Sequence, residues 1–246
     1  MNINQEQLPL LKKITDSLGF DTLTEIKRLN FTYDNDDINL LQRIVDVGGY
    51  ELYDKVLSAI ESHPDCTNSI IDSFSANQLL SKNELISQIK LLDTSFEEIF
   101  IWGSWYGSLL IPGLRHICER FTCVELDDVA NRIARDFFGA RNIKYITDDT
   151  FNRNLEGYAE NNNSLIINTS CEHMPPMNTW KYWHKVKRGA YVAFQSNDMY
   201  GIEGHTNCVD TLDDFIKQMP NEIKIMHTDE IADTRGTRFM IIGIVK

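Results

Sequence analysis

From the N-terminus to about Asp93 the apolar residues recur at helical spacing. Leu8, Leu11, Ile14 and Leu18 make one stripe, ended by Gly19, and Leu52, Val56 and Ile60 make another that stops before Pro64. Thr22-Leu-Thr-Glu25 and Ser81-Lys-Asn-Glu84 match the capping box, in which a hydroxyl and a carboxylate satisfy each other's orphan backbone donors. Helix starts are expected at both. Residues 1–93 therefore read as a helical subdomain of about four to six helices.

After Asp93 the pattern changes to short apolar runs rich in β-formers, alternating with helical segments. The runs are Ile99–Trp102, Phe121–Val124, Ile143–Ile146, Ser164–Ile167, Ala190–Phe194, Glu222–Met226 and Phe239–Val245. Strands alternating with helices predict βαβ units and a mostly parallel sheet, an α/β domain over 94–246. Only a polar loop, Asp229 to Arg238, separates the last two runs. That is too short for a helical crossover, so this pair is predicted antiparallel. Asn161-Asn-Asn163 reads as a polar turn before a strand.

Composition narrows the function classes. Of 246 residues, 42% are hydrophobic and 24% charged, which fits a globular chain rather than a disordered one. Lys and Arg number 24 against 36 Asp and Glu, a net charge of −12, and wrapping nucleic acid needs a basic footprint instead. No apolar run is long enough to span a bilayer, and the start lacks the basic-then-apolar order of a signal peptide, so a cytoplasmic protein without membrane or nucleic-acid partners is expected. Cys66, Cys118, Cys123, Cys171 and Cys208 are odd in number and lack CxxC spacing, as expected of reduced thiols.

The most informative segment is Gly103-Ser-Trp-Tyr-Gly107, between a predicted strand and a predicted helix. Glycines there let the backbone turn sharply and approach a ligand, while the helix start supplies free N–H donors. The second strand ends in Glu125-Leu-Asp127, and an acid there can accept from both hydroxyls of a ribose lying across the first loop. The third ends in Asp148-Asp149, where a carboxylate can accept from an adenine amine. Three such features at the carboxyl ends of successive parallel strands point into one crevice. A dinucleotide oxidoreductase shares the first two, but lacks here its third glycine and meets a bulky Trp-Tyr pair; no P-loop is present.

With these residues the sequence resembles the class I S-adenosylmethionine-dependent methyltransferases, from about Phe96 to the C-terminus. The likeness includes the glycine loop, the two strand-end acids, Lys187-Arg-Gly189 before the fifth strand and a closing strand pair. It implies that Gly103, Ser104 and Gly107 lie beneath the methionine portion of S-adenosylmethionine, that Glu125 holds the ribose and that Asp148 holds the adenine. Trp105, Leu126, Asp149 and Asn168 complete the implied cofactor set. Trp105 stands where the family's central glycine would be, and Pro112 interrupts the next helix early.

The fourth strand runs into Asn168-Thr-Ser-Cys-Glu-His-Met174, where this family places substrate-facing residues; the alternative is that Glu172 and His173 cap a helix beginning near Asn178. His205 follows the fifth strand, so His173 and His205 are expected to converge. A histidine pair near neutral pKa can take a proton from an attacking acceptor, with Glu172 orienting it. Cys171, His173, His205 and Cys208 also form a zinc-competent set by type, without a common zinc spacing, and the expectation is proton acceptors rather than metal ligands. Arg235 and Arg238 are candidate carboxylate anchors. The Asn/Asp-Pro-Pro-aromatic signature of amino-methylating nucleic-acid enzymes is missing, since Pro175-Pro176 is followed by Met177. The expected function is methyl transfer to a small-molecule acceptor, the helical part closing over the cleft or forming a homodimer contact. Aminocarboxypropyl transfer, cofactor cleavage and cofactor binding without catalysis are the alternatives.

Overall fold

The structure is a computed structural model that describes residues 35–152 and 163–246. The Leu8–Leu18 stripe and the Thr22 capping box lie outside the described residues, as does most of the Asn161–Asn163 turn. The chain forms two compact units divided between Phe74 and Ser75. In the first, α1 (Asn35–Ser62) bends at Gly49, whose φ of 74° no helix interior contains. The stripe Leu52, Val56 and Ile60 is buried, and Pro64 opens a short 3-10 turn after it. A second helix, α2 (Thr67–Asp72), follows.

The second unit begins with α3 (Ala76–Lys90), eighteen residues before the boundary expected near Asp93. Leu85, Ile86 and Ile89 on its apolar face share one core with Phe96, Ile99 and Leu114, which ties the helix to the sheet. The helix does not start at Ser81. Its N-cap is Ser75, whose hydroxyl accepts from the Gln78 N–H, while the Ser81 hydroxyl donates to the Gln78 carbonyl inside the helix. Ser75-x-x-Gln78 has the capping-box pattern too, and it lies earlier.

All seven predicted strands form one sheet: β1 (Phe96–Trp102), β2 (Cys118–Glu125), β3 (Ile143–Thr147), β4 (Ser164–Asn168), β5 (Tyr191–Asn197), β6 (Ile223–Ala232) and β7 (Thr237–Val245). Their order is β3-β2-β1-β4-β5-β7-β6, with β7 antiparallel to both neighbours and the remaining pairs parallel. Alternate residues of the central strands feed two cores. Ile99, Ile101, Leu165 and Ile167 enter one, and Phe100, Trp102, Ile166 and Phe194 enter the other. Burial on both faces explains why these strands read as continuous apolar runs. The β6–β7 loop is shorter than expected: pairing continues to Ala232 and resumes at Thr237. Among the described residues no helix is long and apolar enough to cross a membrane.

Two connections set up the site. After β1, α4 (Leu110–Leu114) is only five residues long, with Pro112 in its first turn, where its missing N–H costs nothing. After β2, α5 (Asp128–Phe138) is capped by Asp127, which accepts from the Val129 N–H. No α-helix begins near Asn178; three 3-10 turns, Cys171–His173, Met177–Thr179 and Trp183–Lys185, link β4 to β5. Trp180 and Trp183 anchor them, packing on Trp102 at centroid distances of 4.7 and 6.0 Å. Their indole N–H groups donate to the carbonyls of Thr150 and Met177. Turns anchored by tryptophans thus stand where a helix was expected.

Candidate functional site

The loop after β1 takes left-handed backbone at every second residue, with φ of 58° at Gly103, 48° at Trp105 and 63° at Gly107. That conformation suits glycine and costs other residues about 1 kcal/mol or more. At Gly103 space forbids a side chain as well, since a Cβ would lie 2.7 Å from Met174 Cε and 3.2 Å from Ser170 Cβ. Trp105 keeps the glycine-like turn because its N–H is held: it donates to Glu125 Oε2 at 2.7 Å. Its half-buried ring stacks on Tyr106 at 5.0 Å, and Tyr106 is itself buried against Phe137. Ser104 is buried, its N–H bonded to the Val124 carbonyl and its own carbonyl to the Gly107 N–H.

Glu125 does more than present an acid. Besides Trp105, its Oε1 accepts from the N–H groups of Leu126 at 2.8 Å and Asp127 at 3.1 Å. A carboxylate has roughly four acceptor positions, so about one is left for a ligand hydroxyl while these bonds persist. Leu126 beside it is 72% exposed, an apolar side chain at a strand end that packing does not account for. At the end of β3, Asp148 and Asp149 are half-buried. Asp149 spends both oxygens locally, on the Phe151 N–H and the Asn152 amide, while Asp148 accepts from the Asp149 N–H through Oδ1. Asn168 is fully buried, its amide donating toward the sulfurs of Met174 and Met177 and its oxygen accepting from the Ser170 N–H. It shapes the β4 loop from inside.

The loops after β4 and β5 do converge. The Glu172 carbonyl accepts from the N–H groups of Thr206 and Asn207, which brings His173 and His205 to a centroid separation of 4.6 Å, edge to face. Nδ1 of His173 lies 2.9 Å from the Gly204 carbonyl and Nδ1 of His205 lies 3.0 Å from the Met199 carbonyl. A carbonyl only accepts, so both Nδ1 atoms carry a proton, and in the neutral ring the lone pair is on Nε2. Burial holds the His205 pKa below its ordinary value, against the pull of Glu172. Of the Cys/His set, Cys208 Sγ lies 3.6 Å from His205 Nδ1, but Cys171 does not join. Cys171 is fully buried and donates to the Asn168 carbonyl, and burial raises its thiol pKa well above the ordinary value.

Behind these residues lies a buried charge network. Glu172 is 3% exposed; its Oε1 is 3.8 Å from Arg238, and its Oε2 has no hydrogen-bond partner among the described residues. Arg238, on β7, is buried too and lies 3.8 Å from Asp233, so it is an internal counter-ion and not a surface anchor, whereas Arg235 is exposed. Lys82 of α3 is buried beside them. Its ammonium donates to the Gln195 amide oxygen at 3.4 Å, and burial, then Arg238, lowers its pKa to about 7. The signal for Lys82 was present in the sequence: with Leu85, Ile86 and Ile89 it occupies the i, i+3, i+4, i+7 face of α3.

No family model and no curated protein matches the sequence. Solved structures do match it. The N-methyltransferase NodS from Bradyrhizobium japonicum superposes with a TM-score of 0.53 at 13% identity, over 67% of this chain and 94% of its own. An S-adenosylmethionine-dependent methyltransferase from Clostridium acetobutylicum gives 0.53 at 10% identity, over 75% of this chain and 98% of that one. Magnesium protoporphyrin IX methyltransferase from Synechocystis, with bound S-adenosylhomocysteine, gives 0.51 at 12% identity, over 68% and 82%. With the strand order described above, this likeness establishes that the sheet unit has the Rossmann-like fold of the class I S-adenosylmethionine-dependent methyltransferases.

Proposed function

We propose that this chain binds S-adenosylmethionine and transfers its methyl group to a small-molecule acceptor. The observation that carries the reading is the left-handed loop at residues 103–107, clamped to the strand-end acid Glu125. A purely steric turn would not need to keep that backbone at Trp105, where it is unfavourable. The polar and apolar groups fit the cofactor: Glu125 retains acceptor capacity for a ribose hydroxyl, exposed Leu126 offers an apolar face to a purine, and Asp148 stands at the end of β3 for the adenine amine. A sulfonium-bound methyl is already a strong electrophile, so the protein's work is alignment and proton uptake. The loop fixes the cofactor end of that alignment. On the acceptor side stand Glu172, His173 and His205, and the imidazole lone pairs are groups that can take up the proton an acceptor releases. The net charge of −12 favours a small acceptor over nucleic acid.

A product assay tests the reaction type. Protein incubated with S-adenosylmethionine and a panel of amine, hydroxyl and carboxylate acceptors should yield S-adenosylhomocysteine. Methylthioadenosine as the product would mean aminocarboxypropyl transfer or cofactor cleavage instead, and binding without either product would mean a non-catalytic protein.

A further inference from the structure

We infer that Glu172, His173 and His205 form a binding site for a divalent first-row transition-metal ion. Each offers one ligand atom, and the three atoms lie within 4.8 Å of one another. Two ligands at about 2.1 Å from one tetrahedral ion sit about 3.4 Å apart, so the set needs to close by at most roughly 1.4 Å. His173 is exposed and free to make that adjustment.

Three independent features point to an ion rather than to chance proximity. Both imidazoles give their Nδ1–H to a backbone carbonyl, Gly204 and Met199 respectively. Metal-binding histidines are typically oriented this way, since it fixes the tautomer and leaves Nε2 as the ligand. Glu172, 97% buried by its 3% exposure, has one carboxylate oxygen without a hydrogen bond, and its ion pair with Arg238 is too long to supply one. Burying a carboxylate oxygen without a partner is costly, and a cation removes that cost. The donor set is also chemically coherent. Two imidazoles and a carboxylate suit zinc, iron(II) or manganese, and are too nitrogen-rich for magnesium or calcium.

Three protein ligands leave coordination positions open, as in catalytic rather than structural sites. The role of the ion rests on the methyl-transfer reading above: an acceptor oxygen bound there loses its proton more readily, and the ion takes over what the imidazole lone pairs would otherwise do. The two proposals fail separately. The protein, purified without added metal and stripped with chelator, is titrated calorimetrically with zinc, manganese(II) and magnesium, each alone; Glu172→Gln, His173→Ala and His205→Ala are treated alike. One equivalent of zinc or manganese should bind, each variant weakening it at least about tenfold, and magnesium should not bind. His173→Ala alters an exposed side chain, so it guards against a folding artefact. Failure of zinc and manganese to bind the wild-type protein, or binding undiminished in all three variants, overturns the assignment. S-adenosylhomocysteine is titrated into the same stripped samples. Loss of that binding in the wild type, with metal binding intact, would sink the methyl-transfer reading and leave the ion site standing.

Discussion

The two halves of the site are built by opposite means. At the ends of β1 and β2 the backbone does the work: the loop turns through left-handed residues, and Glu125 gathers the N–H groups of Trp105, Leu126 and Asp127. At the ends of β4, β5 and β7 buried charges do it, with ion pairs of 3.8 Å and polar atoms of Glu172, Asp233 and Arg238 left without hydrogen bonds. The acid of the first region is hydrogen-bonded before any ligand arrives. The charges of the second are not fully so, and groups held out of water with incomplete partners need a strong structural or functional reason to be there. On the proposed function, the β1–β2 end is a hydrogen-bonded cradle for the cofactor, and the β4–β5 end holds its charges ready for what binds beside it.

Mutations sharpen this contrast. Arg238→Met should be the most damaging, because it takes the paired guanidinium from the buried carboxylates of Glu172 and Asp233 and leaves Lys82 as the cation nearby. Breaking such a network from one side costs on the order of 3 kcal/mol, to be read as a lower midpoint of urea unfolding. A variant as stable as the wild type would show that the carboxylates are solvated or protonated, and the contrast would fall.

Glu125→Gln probes the other half. An amide can accept through its oxygen, but its NH2 opposes the N–H donors that now point at the second carboxylate oxygen, so about 2 kcal/mol of stability should go. Affinity for S-adenosylhomocysteine should fall roughly tenfold in the folded variant. Unchanged stability and affinity together would mean that the loop holds itself.

The smallest effect is one of pH, and its sign follows from Lys82. Its native pKa of about 7 is below the ordinary 10.5. Above 10.5 both states are neutral at this group; as pH falls toward 7 the unfolded chain takes up a proton that the native one does not, so stability declines. Below 7 both are charged and the deficit is constant. Between about pH 7 and 8.5 this residue alone should raise unfolding free energy by roughly 1.5 kcal/mol, and Lys82→Met should remove that rise. That window lies below the ordinary thiol pKa of 9.0. This matters because burial pushes Cys118 up to about 11 and Cys123 up to about 12, and such groups lower stability as pH climbs past 9. Equal pH slopes in the two proteins would refute the assignment.

Legibility in the sequence divides along the same line. Local pattern betrays whatever the backbone builds: apolar runs mark every strand, glycines mark the loop, and the acid that ends β2 marks Glu125, on which three N–H groups converge. The meeting of His173 and His205 followed from strand neighbourhood alone. What escaped is long-range electrostatics. Lys82 and Glu172 are 90 positions apart and Arg238 lies 66 further on, and nothing in either neighbourhood says that three charges share a buried space. Asn168 had the right position at a strand end, yet its side chain turned inward to two methionine sulfurs. The helix expected near Asn178 is absent because the tryptophans of this crossover pack as a cluster, which a periodicity argument cannot see.

The central claim, that the β1 and β2 ends form a site for S-adenosylmethionine, is tested most directly by calorimetric titration of the wild-type protein with S-adenosylhomocysteine. The account predicts saturable binding at one equivalent, with a dissociation constant in the micromolar range, about −8 kcal/mol. Absence of saturable heat from the correctly folded protein at millimolar ligand would contradict it.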